Sequence, residues 1–284
     1  MSRRTTAIAA ALSVLALGSP LITACANPLA NNSYNSGVDK YEQGNYQGAI
    51  ADYTKAIEIN PDFADAFINR GAAKDELGDL QGAISDYTRA IEINPQNSIA
   101  YGNRGNSKNK LGGHQGAIAD YTKAIEINPE SANAYYNRGN AKSELKDYQG
   151  AIADYTKAIE INPQYADAYN NRGSAKDELR DYQGAIADYT KAIEINPQHA
   201  VAYDNRCYTR NSLGDHKGAI SDCNKAIVIY PQYAGAYANH GVAKHGLGDQ
   251  QGACADYKKA VSLGDQGTTQ WLNSENGAWC RNMR

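Results

Sequence analysis

The side chains of this 284-residue chain that could do chemistry are five cysteines, five histidines and a long series of asparagines and carboxylates. The histidines, His114, His199, His216, His240 and His245, are scattered and show no metal-ligand spacing against the cysteines. His240 and His245 are five apart, a poor arrangement for joint ligation from one helix. No glycine-rich phosphate loop follows a strand-like segment. The reading is therefore of a non-enzyme without metal or cofactor. Cys25 stands near the start, which leaves Cys207, Cys223, Cys254 and Cys280. An even number in an exported chain allows two disulfides in three possible pairings, with free buried thiols as the alternative.

Export is read from the first residues. Arg3 and Arg4 precede an apolar run from Thr5 to Leu17, which Ser19 and Pro20 interrupt before Ile22-Thr23-Ala24-Cys25. That is the layout of a signal peptide over residues 1–24, too short and interrupted for a membrane span of about 20 apolar residues. Two endings fit. Cys25 stands where a bacterial lipoprotein signal places its acylated cysteine, and Ala24-Cys25-Ala26 also fits ordinary cleavage. The destination is the periplasm or, with Cys25 acylated, an outer-membrane-anchored lipoprotein. A net charge of −3 argues against nucleic acid as the partner.

These residues are positioned by a repeat. Asn-Arg-Gly recurs at 69–71, 103–105, 137–139 and 171–173, and the same register gives Asn205-Arg206-Cys207 and Asn239-His240-Gly241. Pro61, Pro95, Pro129, Pro163, Pro197 and Pro231 keep the same 34-residue step. Within one unit, Ala151, Ile152, Tyr155, Ala158 and Ile159 form the apolar stripe of a helix. Gly78-Asp79, Gly214-Asp215 and Gly248-Asp249 mark one helix ending as another begins. Each unit is thus a helical hairpin with two apolar faces, and it must stack on neighbours to bury them.

The pattern resembles the tetratricopeptide repeat family. Counting along residues 132–165, Tyr135 takes aromatic position 4, Gly139 small position 8, Ala151 position 20, Tyr155 position 24, Ala158 position 27 and Pro163 position 32. The resemblance implies an all-α, right-handed superhelical solenoid of seven hairpins at 30–63, 64–97, 98–131, 132–165, 166–199, 200–233 and 234–267. A linker at 25–29 precedes them. At 268–284 an eighth repeat would begin, with Trp271 at position 4, and then decays; this segment is read as a single capping helix.

The resemblance also implies where a partner would lie: on a concave groove lined by the first helices. Position 6 is Asn35, Asn69, Asn103, Asn137, Asn171, Asn205 and Asn239, a ladder similar to that of O-GlcNAc transferase, whose asparagines hold extended peptides. Near-identity between repeats could equally come from duplication. Positions 12 and 13 supply Asp75, Glu76, Glu144, Asp177 and Glu178, with Glu42 in the first repeat. With Asp65, Asp167 and Asp204 they make a mostly acidic groove, Lys110 being the exception. The carboxylate clamp of heat-shock co-chaperones is absent, since position 5 never carries Lys.

Two further features read as structural. Arg70, Arg104, Arg138, Arg172 and Arg206 at position 7 are expected to pair with the aspartates at position 23, from Asp52 to Asp256. In the sixth repeat Cys207 replaces the glycine of position 8 and Cys223 the tyrosine of position 24, positions that the family brings together. The resemblance therefore implies Cys207–Cys223, and Cys254–Cys280 as a second bridge to the cap.

The functional reading is a non-catalytic scaffold or adaptor of the cell envelope. It would bind an extended, locally basic protein or peptide segment in an asparagine-lined acidic groove. The alternative is a self-associating structural protein of the envelope; oligomeric state is left open.

Overall fold

The structure, a computed structural model, describes residues 27–283; the leader at 1–24 and Cys25 lie outside the described residues. Every regular element among the described residues is helical. The chain divides into two compact units, each described by itself. The first, 27–147, holds α1 (Pro28–Glu42), α2 (Tyr46–Ile59), α3 (Ala64–Glu76), α4 (Leu80–Ile93), α5 (Ser98–Lys110), α6 (His114–Ile127) and α7 (Ala132–Glu144). The second, 148–283, holds α8 (Tyr148–Ile161), α9 (Ala166–Glu178), α10 (Tyr182–Ile195), α11 (Ala200–Ser212), α12 (His216–Ile229), α13 (Ala234–Gly246) and α14 (Gln250–Ser262). It closes with α15 (Gln266–Asn273), a single 3₁₀ turn at Glu275–Gly277 and α16 (Ala278–Arg281).

The hairpin core follows from three side-chain types. Alanines at positions 20 and 27, such as Ala83 and Ala90, are fully buried and let helices approach closely. The tyrosine of position 24, such as Tyr87, is buried between them and lies flat on the glycine of position 8. A Cβ on Gly71 would stand 2.8 Å from Tyr87 Cε1, and on Gly105 2.8 Å from Tyr121 Cε1. Glycine is required there because the ring occupies the space.

The turns are equally regular. Gly44, Gly78, Gly112, Gly214 and Gly248 end first helices with φ between +74° and +85°, the left-handed conformation of a helix C-terminus. Lys146 and Arg180 hold the same place with φ of 63° and 64°. The next residue caps the second helix: Asp79 accepts from the Gly82 N–H at 2.9 Å, and Asp181, Asp215 and Asp249 repeat the contact. This accounts for the glycine at 82, 184, 218 and 252, where an aspartate caps the helix. A Cβ on Gly82 would collide with the Asp79 carboxylate, whereas on Gly116, where the cap is Gly113, it meets only the Lys108 stem at 3.4 Å.

The cysteine pairs are both in the second unit. Cys207 and Cys223 are bonded across α11 and α12, and Cys254 of α14 is bonded to Cys280 of α16. The tail is not the single helix read from the sequence. α15 stops at Asn273, Ser274 turns the chain, and Gly277 passes so close to Trp271 and Leu272 that a side chain would strike their backbone. The returning α16 then buries Cys280 and packs Trp279 with Trp271, Leu272 and Met283 over Tyr257. No helix of the described residues is long and apolar enough to cross a membrane.

Candidate partner-binding face

Within each unit the first helices of consecutive repeats touch directly, as α3 does α5 and α11 does α13, while second helices such as α2, α4, α6, α10 and α12 pack on the first helices at either side. Within each unit the first helices therefore form a row, α1, α3, α5 and α7 in the first and α9, α11 and α13 in the second, which carries the residues singled out from the sequence.

Ion pairs fix the hairpins beneath this row. Arg70 donates through Nε and Nη2 to both oxygens of Asp86, at 2.9 and 2.7 Å, and Lys74 adds a contact of 2.8 Å. Its remaining nitrogen, Nη1, reaches back to Thr54 Oγ1 of the preceding repeat at 3.1 Å. The threonine hydroxyl is free to accept because it donates to Ile50 O within its own helix. Arg104–Asp120, Arg172–Asp188 and Arg206–Asp222 repeat the pairing, and Arg104, Arg138, Arg172 and Arg206 each reach the preceding threonine. The guanidinium also lies over the ring of position 4, as Arg172 does over Tyr169. In the seventh repeat His240 replaces arginine, with Nδ1 2.9 Å from Asp256 Oδ2 but without hydrogen-bond alignment. Although burial opposes it, His240 and Lys244 hold the Asp256 carboxyl below its ordinary value.

The asparagine ladder crosses between repeats. Asn69 is fully buried and donates to Tyr34 Oη at 2.9 Å; Asn205 donates to Asn170 Oδ1 at 3.0 Å; Asn239 donates to Asp204 Oδ1 at 2.7 Å. In all three the acceptor lies 35 residues earlier, at position 5 of the preceding repeat. Where that position is Gly102, Asn137 turns instead to Asn106 Oδ1 at 3.0 Å. Asn171 accepts from Asn170 at 3.0 Å, Asn103 is buried, and Asn35 alone of the seven is exposed. The hydrogen-bonding residue at position 5 ahead of these three asparagines, Tyr34, Asn170 and Asp204, was the sequence signal for this, and of the three only Asp204 had been read, as part of the acidic groove. Burial, with Asp65 alongside, pushes the Tyr34 hydroxyl up to about 12, so it stays neutral as the acceptor for Asn69.

The acidic series divides in two. Asp75 is buried and takes Ser107 Oγ at 3.2 Å and Lys110 Nζ at 2.6 Å from the next repeat, so Lys110 is its counter-ion rather than an exception to the groove. Asp177 likewise accepts from Thr209 Oγ1 at 2.8 Å. Position 12 thus ties repeats together. Position 13 differs: Glu76 and Glu144 of the first unit and Glu178 of the second are exposed. Asp65 is half-buried, and burial raises its carboxyl; Asp167 is exposed with His199 Nε2 at 3.1 Å. Among the described residues no group of three or more His, Cys, Asp or Glu could hold a metal ion.

Comparison with known proteins supports this architecture. Tetratricopeptide repeat profiles match residues 64–97, 132–165, 166–199 and 234–263, and a TPR repeat profile matches 37–74 and 105–146. No curated protein matches the chain. Among solved structures, YrrB, described as a TPR protein with an unusual peptide-binding site, is 25% identical with a TM-score of 0.54, over 65% of this chain and 95% of that one. A tetratricopeptide repeat protein from Parabacteroides merdae is 23% identical with a TM-score of 0.68, over 90% of this chain and all of that one (100%). PilF of Pseudomonas aeruginosa is 18% identical with a TM-score of 0.65, over 74% and 95%. The last two share the fold alone. With its 34-residue hairpins, its glycine–tyrosine contacts and these profile matches, the chain belongs to the tetratricopeptide repeat family.

Proposed function

We propose that this protein is a non-catalytic scaffold of the cell envelope that holds an extended, locally basic segment of a protein partner against its row of first helices. The observation that carries the reading is the division of polar groups on that row. Asn69, Asn205, Asn239, Asp75 and Asp177 are bonded to neighbouring repeats and make the face rigid. Glu76 and Glu144 remain exposed on the row of the first unit, and Glu178 on that of the second. A rigid face with solvent-exposed carboxylates binds at low ordering cost and selects cationic side chains. The asparagines act mainly by holding this face, with Asn35 the one placed for direct contact. YrrB, similar over most of its length, is described by its peptide-binding site.

An envelope location fits the leader, and two disulfides fit an oxidising compartment. Acylation at Cys25 would add a membrane anchor. The test is crosslinking with mass spectrometry on envelope fractions, comparing wild type with Glu76→Lys and Glu178→Lys. Each reversal should remove or weaken the principal crosslinked partner, and wild-type capture should fall with added salt. An unchanged partner profile in both variants would exclude the first-helix row as the binding face.

A further inference from the structure

The repeats are so alike that a departure confined to one of them stands out, and the second helices of the last two repeats depart together. On α8 and α10 the outward cation is answered by a glutamate three residues on: Lys157–Glu160 at 2.9 Å and Lys191–Glu194 at 3.1 Å. On α12 the glutamate's place is taken by Val228, after Lys225, and on α14 by Ser262, after Lys259. Val228 is 76% exposed. Two residues on, where the earlier repeats carry an asparagine, stands Tyr230, 53% exposed and 5.9 Å from the Tyr233 ring.

The outward stripe of α12 is consequently Lys217, Ser221, Asn224, Lys225 and Val228, and α14 adds Lys258 and Lys259, all exposed. None of these outward residues is acidic. Asp222 and Asp256 are turned inward into the ion pairs, and Asp215, Asp249 and Asp265 cap helix N-termini. Lys258 Nζ donates to Met283 O at 2.7 Å and Lys259 lies over Tyr237, contacts that hold the ammonium groups without neutralising them.

Four lysines on a stripe that carries no acid of its own, the exposed Asp215 and Asp249 standing at the helix N-termini, lie beside an exposed valine and tyrosine and match one kind of surface: negative charge over an apolar layer. We propose that the outward stripe of α12 and α14 docks the protein on an anionic lipid bilayer. Tyr230 would lie at headgroup depth, where amphipathic rings are favoured, Val228 just below it, and the lysines against lipid phosphates. An acidic protein would satisfy the lysines but gives no reason for an unshielded valine and tyrosine to replace glutamate and asparagine. The proposal is independent of the first-helix row and of any acyl group on Cys25.

The experiment is vesicle co-sedimentation with the exported, leader-free form of a Cys25→Ser chain, which carries no lipid of its own. Vesicles are phosphatidylcholine alone or phosphatidylcholine with about one-third phosphatidylglycerol. Partition onto the anionic vesicles should be at least about tenfold stronger and should fall with salt. Val228→Glu with Tyr230→Asn restores the residues that α8 and α10 carry in a folded setting, and should abolish the difference. Lys225→Gln with Lys258→Gln, both on the surface, should weaken partition severalfold with the apolar pair intact. Equal partition onto both vesicle types, or binding unaltered by either variant, would overturn the proposal. So would binding of poly-glutamate without binding of anionic vesicles, which would mark a protein-docking surface instead.

Discussion

Arg206 grips both oxygens of Asp222, at 2.9 and 2.6 Å, and the very next residue on each helix completes the disulfide between Cys207 and Cys223. Two consecutive residues of α11 are thus tied to two consecutive residues of α12, one tie ionic and one covalent. In the first, second, third, fifth and seventh repeats the covalent tie is replaced by a tyrosine ring packed on a glycine, as Tyr53 on Gly37 and Tyr189 on Gly173.

This gives a direct exchange to measure. Cys207→Ala with Cys223→Ala should lower the stability of the chain by about 3 kcal/mol, the value for so short a loop. Cys207→Gly with Cys223→Tyr rebuilds the contact of the neighbouring repeats and should recover a substantial part of that loss. Urea titration of the three proteins decides it.

The ion pairs can be tested where a second cation remains. Arg172→Ala removes two hydrogen bonds from the buried Asp188 and one from Thr156, while Lys176 stays 2.7 Å from the carboxylate. The cost should be about 3 kcal/mol, the lower end for breaking a buried pair. Arg172→Lys should not rescue it, because an ammonium cannot reach both carboxylate oxygens and the threonine.

Two glycines on α5, three residues apart, should respond in opposite directions. Gly105→Ala drives a methyl group into the Tyr121 ring and should cost about 1–3 kcal/mol. Gly102→Ala meets nothing within 4 Å and should stabilise by about 0.5–1 kcal/mol, the helix preference of alanine. Thermal unfolding of the pair would read both.

Lys146 and Arg180 occupy the left-handed turn that glycine fills elsewhere. Replacing either by glycine should raise stability by about 0.5–1 kcal/mol in chemical denaturation, since the side-chain strain outweighs the entropy of the added glycine.

Acid should loosen the last repeat through Asp256. Its carboxyl lies below the ordinary 3.8 in the folded chain, so the stability it contributes is complete above that value and is lost as pH falls through the lower folded value. Asp256→Asn, which does not titrate, should show a shallower fall in unfolding free energy between about pH 5 and pH 2. Denaturant melts across that range measure the slope.

The hairpins were legible in the sequence because helix stops, caps and small residues each recur at the same step and agree with one another. The arginine–aspartate pairing was legible for the same reason. The role of the asparagines was not, since an amide serves a neighbouring repeat or a bound peptide equally well and spacing alone does not say which way it points. Only the identity of position 5 one repeat earlier, Tyr34, Asn170 or Asp204, carries that information. The tail escaped because Trp271 continues the register well enough to imply a helix, while the turn after Asn273 depends on the close passage of Gly277, a tertiary contact.

The threonine that receives each arginine from the following repeat has a further consequence. The row runs from Thr54 to Thr190 and then ends, for the next pair in register is Asn224 and His240. Both disulfides fall in the stretch where that row has ended. In a stack of nearest-neighbour units, unfolding starts at the weakest joint and spreads outward. Under reducing conditions the chain should therefore fray from its C-terminal end, shedding the last hairpin while the earlier ones stay wound.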